Sequence, residues 1–247
     1  RMPPWRKVRF QVRLPGRTLV LPSAPVDIPA DAYFIWPLDL DLDGAMLRYA
    51  TAQPVTRLQV NGAAVYVFRA VPGIAAELAF DAATVSDIRS ESGRVVRSGP
   101  RGIAAGAEGL VRVEDVRPGA DVAVDLRTRS GVEVRILLLS QQQAEHLWVV
   151  PLRGRERLLL TADQVFSRSG ALELRSVGDP HFRLALFPAP RRALVTSLPL
   201  TSGKEGSFEK LSAEAAPRSI GLRVELLRRA RAVPPVRIGG PAGAAMQ

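Results

Sequence analysis

Apolar and polar residues alternate with period two along much of the chain, in short runs closed by Gly, Pro, Asn or Asp, which is how half-buried strands read in sequence. In KVRFQVRL (7–14), Val8, Phe10 and Val12 stand against Arg9, Gln11 and Arg13, and Pro15-Gly16 then turns the chain. LRYATAQPVTRLQVNGAAVYVFRAV (47–71) predicts two strands around Asn61-Gly62, a pair whose tolerance of positive φ suits a type I′ hairpin turn. DVAVDLRTRSGVEVRILLLS, RLLLTADQVF, ALELRSVG, HFRLALFP and IGLRVELLRRARAV repeat the pattern at a spacing of about ten residues, as sandwiches and barrels do. The best helical signal is SQQQAEHLWVV, where Ser140 can cap and Gln143, three residues on, can complete a capping box. The apolar spacing beyond it is short, so about two turns at most are expected. The predicted class is all-β: an antiparallel β-sandwich, organised as two packed β domains with one or two short helices.

A Gly- and Ser-rich stretch, SESGRVVRSGPRGIAAGAEG (90–109), is the best break between halves. The expected organisation is a first β domain over 1–98, containing the aromatic strand and the Asn-Gly hairpin, and a second over 99–232. Residues 233–247, beginning VPPVRIGG, read as a linker or frayed tail.

Composition narrows the classes. With 247 residues and 47% apolar content the chain can fill a core and is not expected to be disordered. It has no cysteine, so there is no disulfide framework, thiolate nucleophile or thiolate metal site, and cytoplasmic and secreted settings both remain open. The formal charge of +10 comes almost wholly from arginine, the only lysines being Lys7, Lys204 and Lys210. Beside heavy Ala, Val, Gly and Pro usage, that skew reads as coding bias, and the arginines are dispersed, so nucleic acid is not an expected partner. No apolar run is long enough to span a membrane. The start, RMPPWRKVRF, has no apolar h-region and is not read as a signal peptide; the end, GGPAGAAMQ, has no structure signals, and the chain is expected to be a piece of something longer.

Candidate chemistry is sparse. Asp39, Asp41 and Asp43 alternate with Leu38, Leu40 and Leu42. On one strand all three carboxylates would share a face, a pattern that could hold Ca²⁺, but a calcium loop needs turns and backbone carbonyls rather than a regular strand. A solvated face of aspartates without special partners, with all three leucines pointing into the sandwich, is the expectation. His146 and His181, the only histidines, lie in different segments, and no GxSxG, HExxH or GxGxxG motif occurs. No catalytic residue, metal or cofactor is assigned. Tyr33, Trp36 and Trp148 are the candidate carbohydrate contacts, since flat rings stack on pyranose faces. In YFIWP, alternation sets Tyr33 and Ile35 opposite Phe34 and Trp36, so one pair is expected to be exposed. Pro37 cannot donate to a ladder, so Trp36-Pro37 should lie at a strand end, bulge or edge.

AYFIWPLDLDLDGAMLRYATAQPVTRL (32–58), followed by YVFRAVPGIAAELAFD (66–81), resembles the β-sandwich region that follows the catalytic barrel in bacterial β-galactosidases of glycoside hydrolase family 35. That region runs as an aromatic-rich strand, a Gly turn, an ATAQ strand and a hairpin; Tyr66, Val67, Phe68, Pro72, Gly73, Ile74, Glu77, Phe80 and Asp81 fill its later places. VRILLLSQQQAEHLWVVPLRGRERLLLTADQVF (134–166) is similar to a further segment. The resemblance implies a non-catalytic part of a carbohydrate-active enzyme, bracing a barrel or shaping a sugar cleft. The family's acid/base and nucleophile glutamates sit on that barrel, and nothing here alternates strands with long helices, so no catalytic role carries over. Its implied partners are that barrel and a galactoside or polysaccharide. The rival readings are a stand-alone module binding sugar or a polyanion, and a free-standing enzyme using a carboxylate pair.

Overall fold

The structure, a computed structural model, describes residues 1–98, 109–168, 170–190 and 192–216. Arg1–Ala215 form one compact unit; a second unit, Ala216–Gln247, falls outside the described residues apart from Ala216. The run at 220–233, the tail at 233–247 and half of the Gly-rich break, 99–108, therefore lie outside the description.

The regular structure of the described residues is nearly all β, with one short helix, as the alternation predicts. A ribbon comes first, β1 (Trp5–Leu14) and β2 (Arg17–Ile28), turned at Pro15-Gly16. There follow β3 (Leu38–Leu42), β4 (Ala45–Ala50), β5 (Ala52–Val60), β6 (Ala63–Ala70), β7 (Ala76–Asp81), β8 (Val85–Arg89), β9 (Arg94–Ser98), β10 (Leu110–Val116), β11 (Val122–Thr128) and β12 (Glu133–Leu139). A five-residue helix, α1 (Gln141–Glu145), leads to β13 (Leu147–Leu152), β14 (Arg155–Leu160), β15 (Gln164–Arg168), β16 (Ala171–Arg175), β17 (His181–Phe187), β18 (Thr201–Glu205) and β19 (Phe208–Glu214). The capping box on α1 forms as expected: Ser140 Oγ accepts from the Gln143 amide at 3.1 Å, and Gln143 Oε1 accepts from the Ser140 amide at 2.9 Å.

Three five-stranded sheets run in the orders β3-β4-β7-β10-β9, β5-β6-β12-β11-β8 and β13-β14-β17-β19-β18, with β15-β16 as a separate hairpin. Apolar clusters alternate with these layers. Leu19 and Leu21 of the ribbon meet Tyr49 and Ala79 of the first sheet. Leu47 and Phe80 of the first sheet meet Phe68 and Ile136 of the second. Val65 and Leu137 of the second meet Leu158 and Phe187 of the third. Leu159 and Leu186 of the third meet Leu172 and Leu174 of the hairpin. A strand covered on both faces needs apolar residues at every position, which is why β12 and β14 contain the unbroken runs ILLL and LLL. In β12, Val134, Ile136 and Leu138 face the first sheet while Leu137 and Leu139 face the third.

The ladders are antiparallel except between β6 and β12, which pair in parallel from Val134↔Ala64 to Leu139↔Arg69. β9 and β10 are hydrogen-bonded neighbours, and β10–β12 complete the two sheets begun before them, so both sheets are shared across the 98/99 boundary that the Gly-rich break suggests.

Two local features depart from the sequence reading. LRYATAQPVTRLQV is not one strand: at Thr51 the chain leaves β4 in the first sheet and enters β5 in the second. Thr51 holds this crossing, its amide donating to Glu77 O at 2.9 Å and its hydroxyl to Ala75 O at 2.8 Å. The leucine alternation also breaks. Asp39 has φ +48°, and Leu38 packs with Tyr49 under the ribbon while Leu40 and Leu42 pack between the sheets. The Asn61-Gly62 turn has both φ values positive, +51° and +89°, as a type I′ turn requires. Trp36-Pro37 precede β3, an edge strand, consistent with proline's missing donor.

Candidate functional site

The loop between β2 and β3 carries the aromatic run. Tyr33 is 87% exposed and Ile35 68%, whereas Phe34 and Trp36 are half-buried, so one pair of the alternation faces out as expected. Phe34 stacks on Trp36 with centroids 4.6 Å apart, and Phe10 of the ribbon meets Trp36 edge-on at 5.6 Å. Those rings leave Trp36 little free face, and its buried indole N–H has no partner. Trp148 is on β13, the edge strand of the third sheet, with 41% exposure. Tyr33 and Trp36 thus share a loop but face opposite ways, and Trp148 belongs to a different layer.

Tyr33 is not the sole large apolar side chain exposed in this part of the fold. Met2 and Trp5 are exposed at 58% and 62%, Trp5 pairs with Ile28 at the end of the ribbon, and two hydrogen bonds fasten Met2 to the loop. Met2 N donates to Asp31 Oδ1 at 2.7 Å, and Asp31 N donates to Met2 O at 3.1 Å. Met2 is thus fastened to the loop that carries Tyr33 and Ile35, and Trp5 stands at the adjoining end of the ribbon.

Sequence reasoning missed a polar cluster between the ribbon and the first sheet. Its one visible trace is Glu77, a carboxylate in AELAFD, all six residues of which are buried. Glu77 accepts from the Tyr49 hydroxyl, from Ser23 Oγ at 2.6 Å and from the Ser23 amide at 3.2 Å. Burial comes first among the causes that push the Tyr49 phenol well above its ordinary pKa, followed by its hydrogen bond to Glu77 and that residue's charge. Glu114 lies on the other side of Ser23 Oγ, at 3.4 Å, and is held by Arg94 at 2.6 Å and Arg112 at 3.1 Å.

Asp39 and Asp41 are exposed, as expected, and Asp43 is half-buried, but the aspartates of β3 and its turn are not free of partners, which corrects that part of the expectation. Asp39 is paired with Arg17 and, at 3.0 Å, with Arg48; the buried Arg48 also reaches Asp81 at 2.7 Å. Asp41 accepts from the Gly44 amide at 2.7 Å and closes the turn. Asp43 is gripped by Arg57 at 2.7 Å and accepts from the Tyr66 hydroxyl at 2.9 Å. The cause is the bend at Asp39, which turns the carboxylate toward arginines on neighbouring strands.

Chemically, these groups are spent on the fold. Glu77 and Asp81 are the buried carboxylates of the described residues, and both are saturated by donors of this chain. Glycoside hydrolysis needs two carboxyl groups facing a common space wide enough for a sugar. His146 ends α1, and His181 sits exposed between Asp179 at 3.0 Å and Glu214 at 3.6 Å. No group of three or more His, Asp or Glu among the described residues could hold a metal ion. No described helix is long and apolar enough to cross a membrane. No protein-family model matches the chain, and no curated protein matches it.

Proposed function

We propose that this chain is a non-catalytic β-sandwich portion of a carbohydrate-active enzyme, β-galactosidase-like, which braces a hydrolase barrel carried elsewhere in its parent protein. The observation that carries the reading is the exposure of Met2, Trp5, Tyr33 and Ile35, each more than half exposed on the ribbon's end or on the loop fastened to it. Large apolar side chains gathered on a surface mark a docking face, and a barrel wall is the partner that the sequence resemblance supplies. The saturated state of Glu77 and Asp81 supports the non-catalytic half of the reading. The residues carrying the resemblance are largely architectural: Val67, Phe68 and Phe80 are fully buried, and Glu77 anchors the ribbon. Stand-alone sugar binding has weaker support, because Phe34 and Phe10 occupy the neighbourhood of the Trp36 ring.

The test begins with the genomic reading frame around this chain, expected to encode a (β/α)₈ barrel. That barrel, expressed separately, should bind the chain, and Tyr33→Asp with Ile35→Asp should abolish binding while leaving the chain folded. The chain alone should not turn over a chromogenic β-galactoside. A reading frame without a barrel, or turnover lost on changing one Asp or Glu of this chain, would overturn the proposal.

A further inference from the structure

Between the third sheet and the β15-β16 hairpin runs a cavity of about 540 Å³, within the size range of small-molecule sites. Its walls are mainly leucine, among them Leu152, Leu159, Leu172, Leu186, Leu200 and Leu211. The segment 192–200 forms one side, and on its rim Val195 is 95% exposed. The groove is more apolar, and its rim more exposed, than a surface that only faces water needs to be.

One end of the groove is basic. Arg153 lines it and holds the rim segment in place, donating to Ala193 O at 2.9 Å and to Arg192 O at 3.4 Å. Arg155 and Arg157 follow on β14, opposite Leu152 and Val150 of β13. Arg157 is buried, donates to Pro188 O, and has no partner for its Nε. The three guanidiniums make no ion pair with a carboxylate of the described residues; those of Arg153 and Arg157 donate to backbone carbonyls. Burial, then the charges of Arg155 and Arg153, lower the pKa of Arg157, and the nearby carboxylate of Glu209 offsets them only in part, so positive charge is in excess here. The carboxylate in the groove lining, Glu173, is already paired with Arg175 at 2.7 Å.

An apolar trough ending where arginines outnumber acids is complementary to one kind of molecule. We propose that this groove binds a single-chain anionic amphiphile, its hydrocarbon tail along the leucines and its carboxylate or sulfate head at Arg153 and Arg155. The tail supplies burial, and the head supplies the charge that this end of the third sheet lacks.

The probe is sodium dodecanoate below its micellar concentration, titrated into the full chain by calorimetry. One dodecanoate should bind per chain, and dodecyltrimethylammonium, with the same tail and the opposite charge, should bind about tenfold more weakly, as expected for contacts with two partly exposed arginines. Acetate, with the head but no tail, should not compete. Arg155→Glu, at an exposed position, should weaken dodecanoate about tenfold and strengthen the cationic probe, with unfolding temperature unchanged. Should that variant fail to fold, Arg155→Gln gives the same comparison with a smaller effect. Leucine methyl NMR signals from the groove should shift with dodecanoate. Equal binding of the two detergents, dodecanoate binding unaffected by loss of the Arg155 charge, shifts confined to other layers, or no saturable binding would each overturn the proposal.

Discussion

Removing the Tyr49 hydroxyl tests how the ribbon is locked to the first sheet. Tyr49 is 2% exposed and Glu77 6%, so their hydrogen bond lies away from water, between layers that otherwise meet through Leu19, Leu21 and Ala79. Tyr49→Phe keeps the ring and its packing and opens no cavity. What is lost is one hydrogen bond to a charged group, about 1.5–3 kcal/mol. Glu77 keeps Ser23 Oγ at 2.6 Å and the Ser23 amide at 3.2 Å, so the loss should not reach the larger cost of an unpaired buried charge. Glu77→Gln should cost about 1–2 kcal/mol, since the amide keeps the shape and an acceptor while losing the charge. The double variant should cost less than the sum by about 1 kcal/mol, because both changes remove the same contact. Urea unfolding followed by tryptophan fluorescence is a suitable assay, since Trp36, wedged by Phe10 of the ribbon, reports this interface. A cost for Tyr49→Phe below about 0.5 kcal/mol, or strict additivity in the cycle, would refute the lock.

The strand content, the Asn61-Gly62 hairpin, the capping box on α1 and the exposure of one pair of the YFIWP alternation, though not which pair, were legible because each depends on neighbours in sequence. Period two states which face is wet, φ preference states where a turn fits, and a Ser followed three residues later by Gln states where a helix begins. What stayed hidden depends on strands distant in sequence. The crossing at Thr51 is invisible because Ala50 and Ala52 suit a strand equally well in either sheet. The stacking of layers was written in ILLL and LLL, but a run apolar at every position says that both faces are covered and not by what. The Glu77 cluster joins Ser23, Tyr49, Glu77 and Glu114, residues up to 91 positions apart, through a ribbon whose placement no local pattern encodes. The partners of Asp39 were missed for a local reason: a regular strand was assumed, and a single residue with φ +48° redirects its carboxylate toward Arg17 and Arg48.

Further outcomes follow from the packing and from the titration of the tyrosines. Leu42→Ala, at a fully buried site, should destabilise by about 2–5 kcal/mol in chemical unfolding, whereas Asp41→Ala, which loses the bond to the Gly44 amide, should cost about 1 kcal/mol. Gly206→Ala should cost about 1–3 kcal/mol, because its φ is +57° and a Cβ there would stand 2.7 Å from the backbone oxygen of Ala120; an unchanged unfolding midpoint would contradict that close approach. Alkaline pH should weaken the fold through Tyr49. Its pKa in the folded chain is raised, so the phenol of the unfolded chain loses its proton first as pH climbs past the ordinary tyrosine value of 10.0. Below that point both states hold the proton and the contribution is intact; above it the unfolded state binds fewer protons, and stability falls by up to about 1.4 kcal/mol per pH unit for each such group. Tyr66 is shifted the same way, first by burial and then by its hydrogen bond to Asp43, so it adds to the slope. With 3 tyrosines and 3 lysines in the chain, few other groups titrate in this window. Urea midpoints measured from about pH 9 to about pH 11 should fall less steeply for Tyr49→Phe than for the native chain, and least steeply when Tyr66→Phe is added. Parallel slopes for the native chain and Tyr49→Phe would mean that Tyr49 is not held neutral beside Glu77.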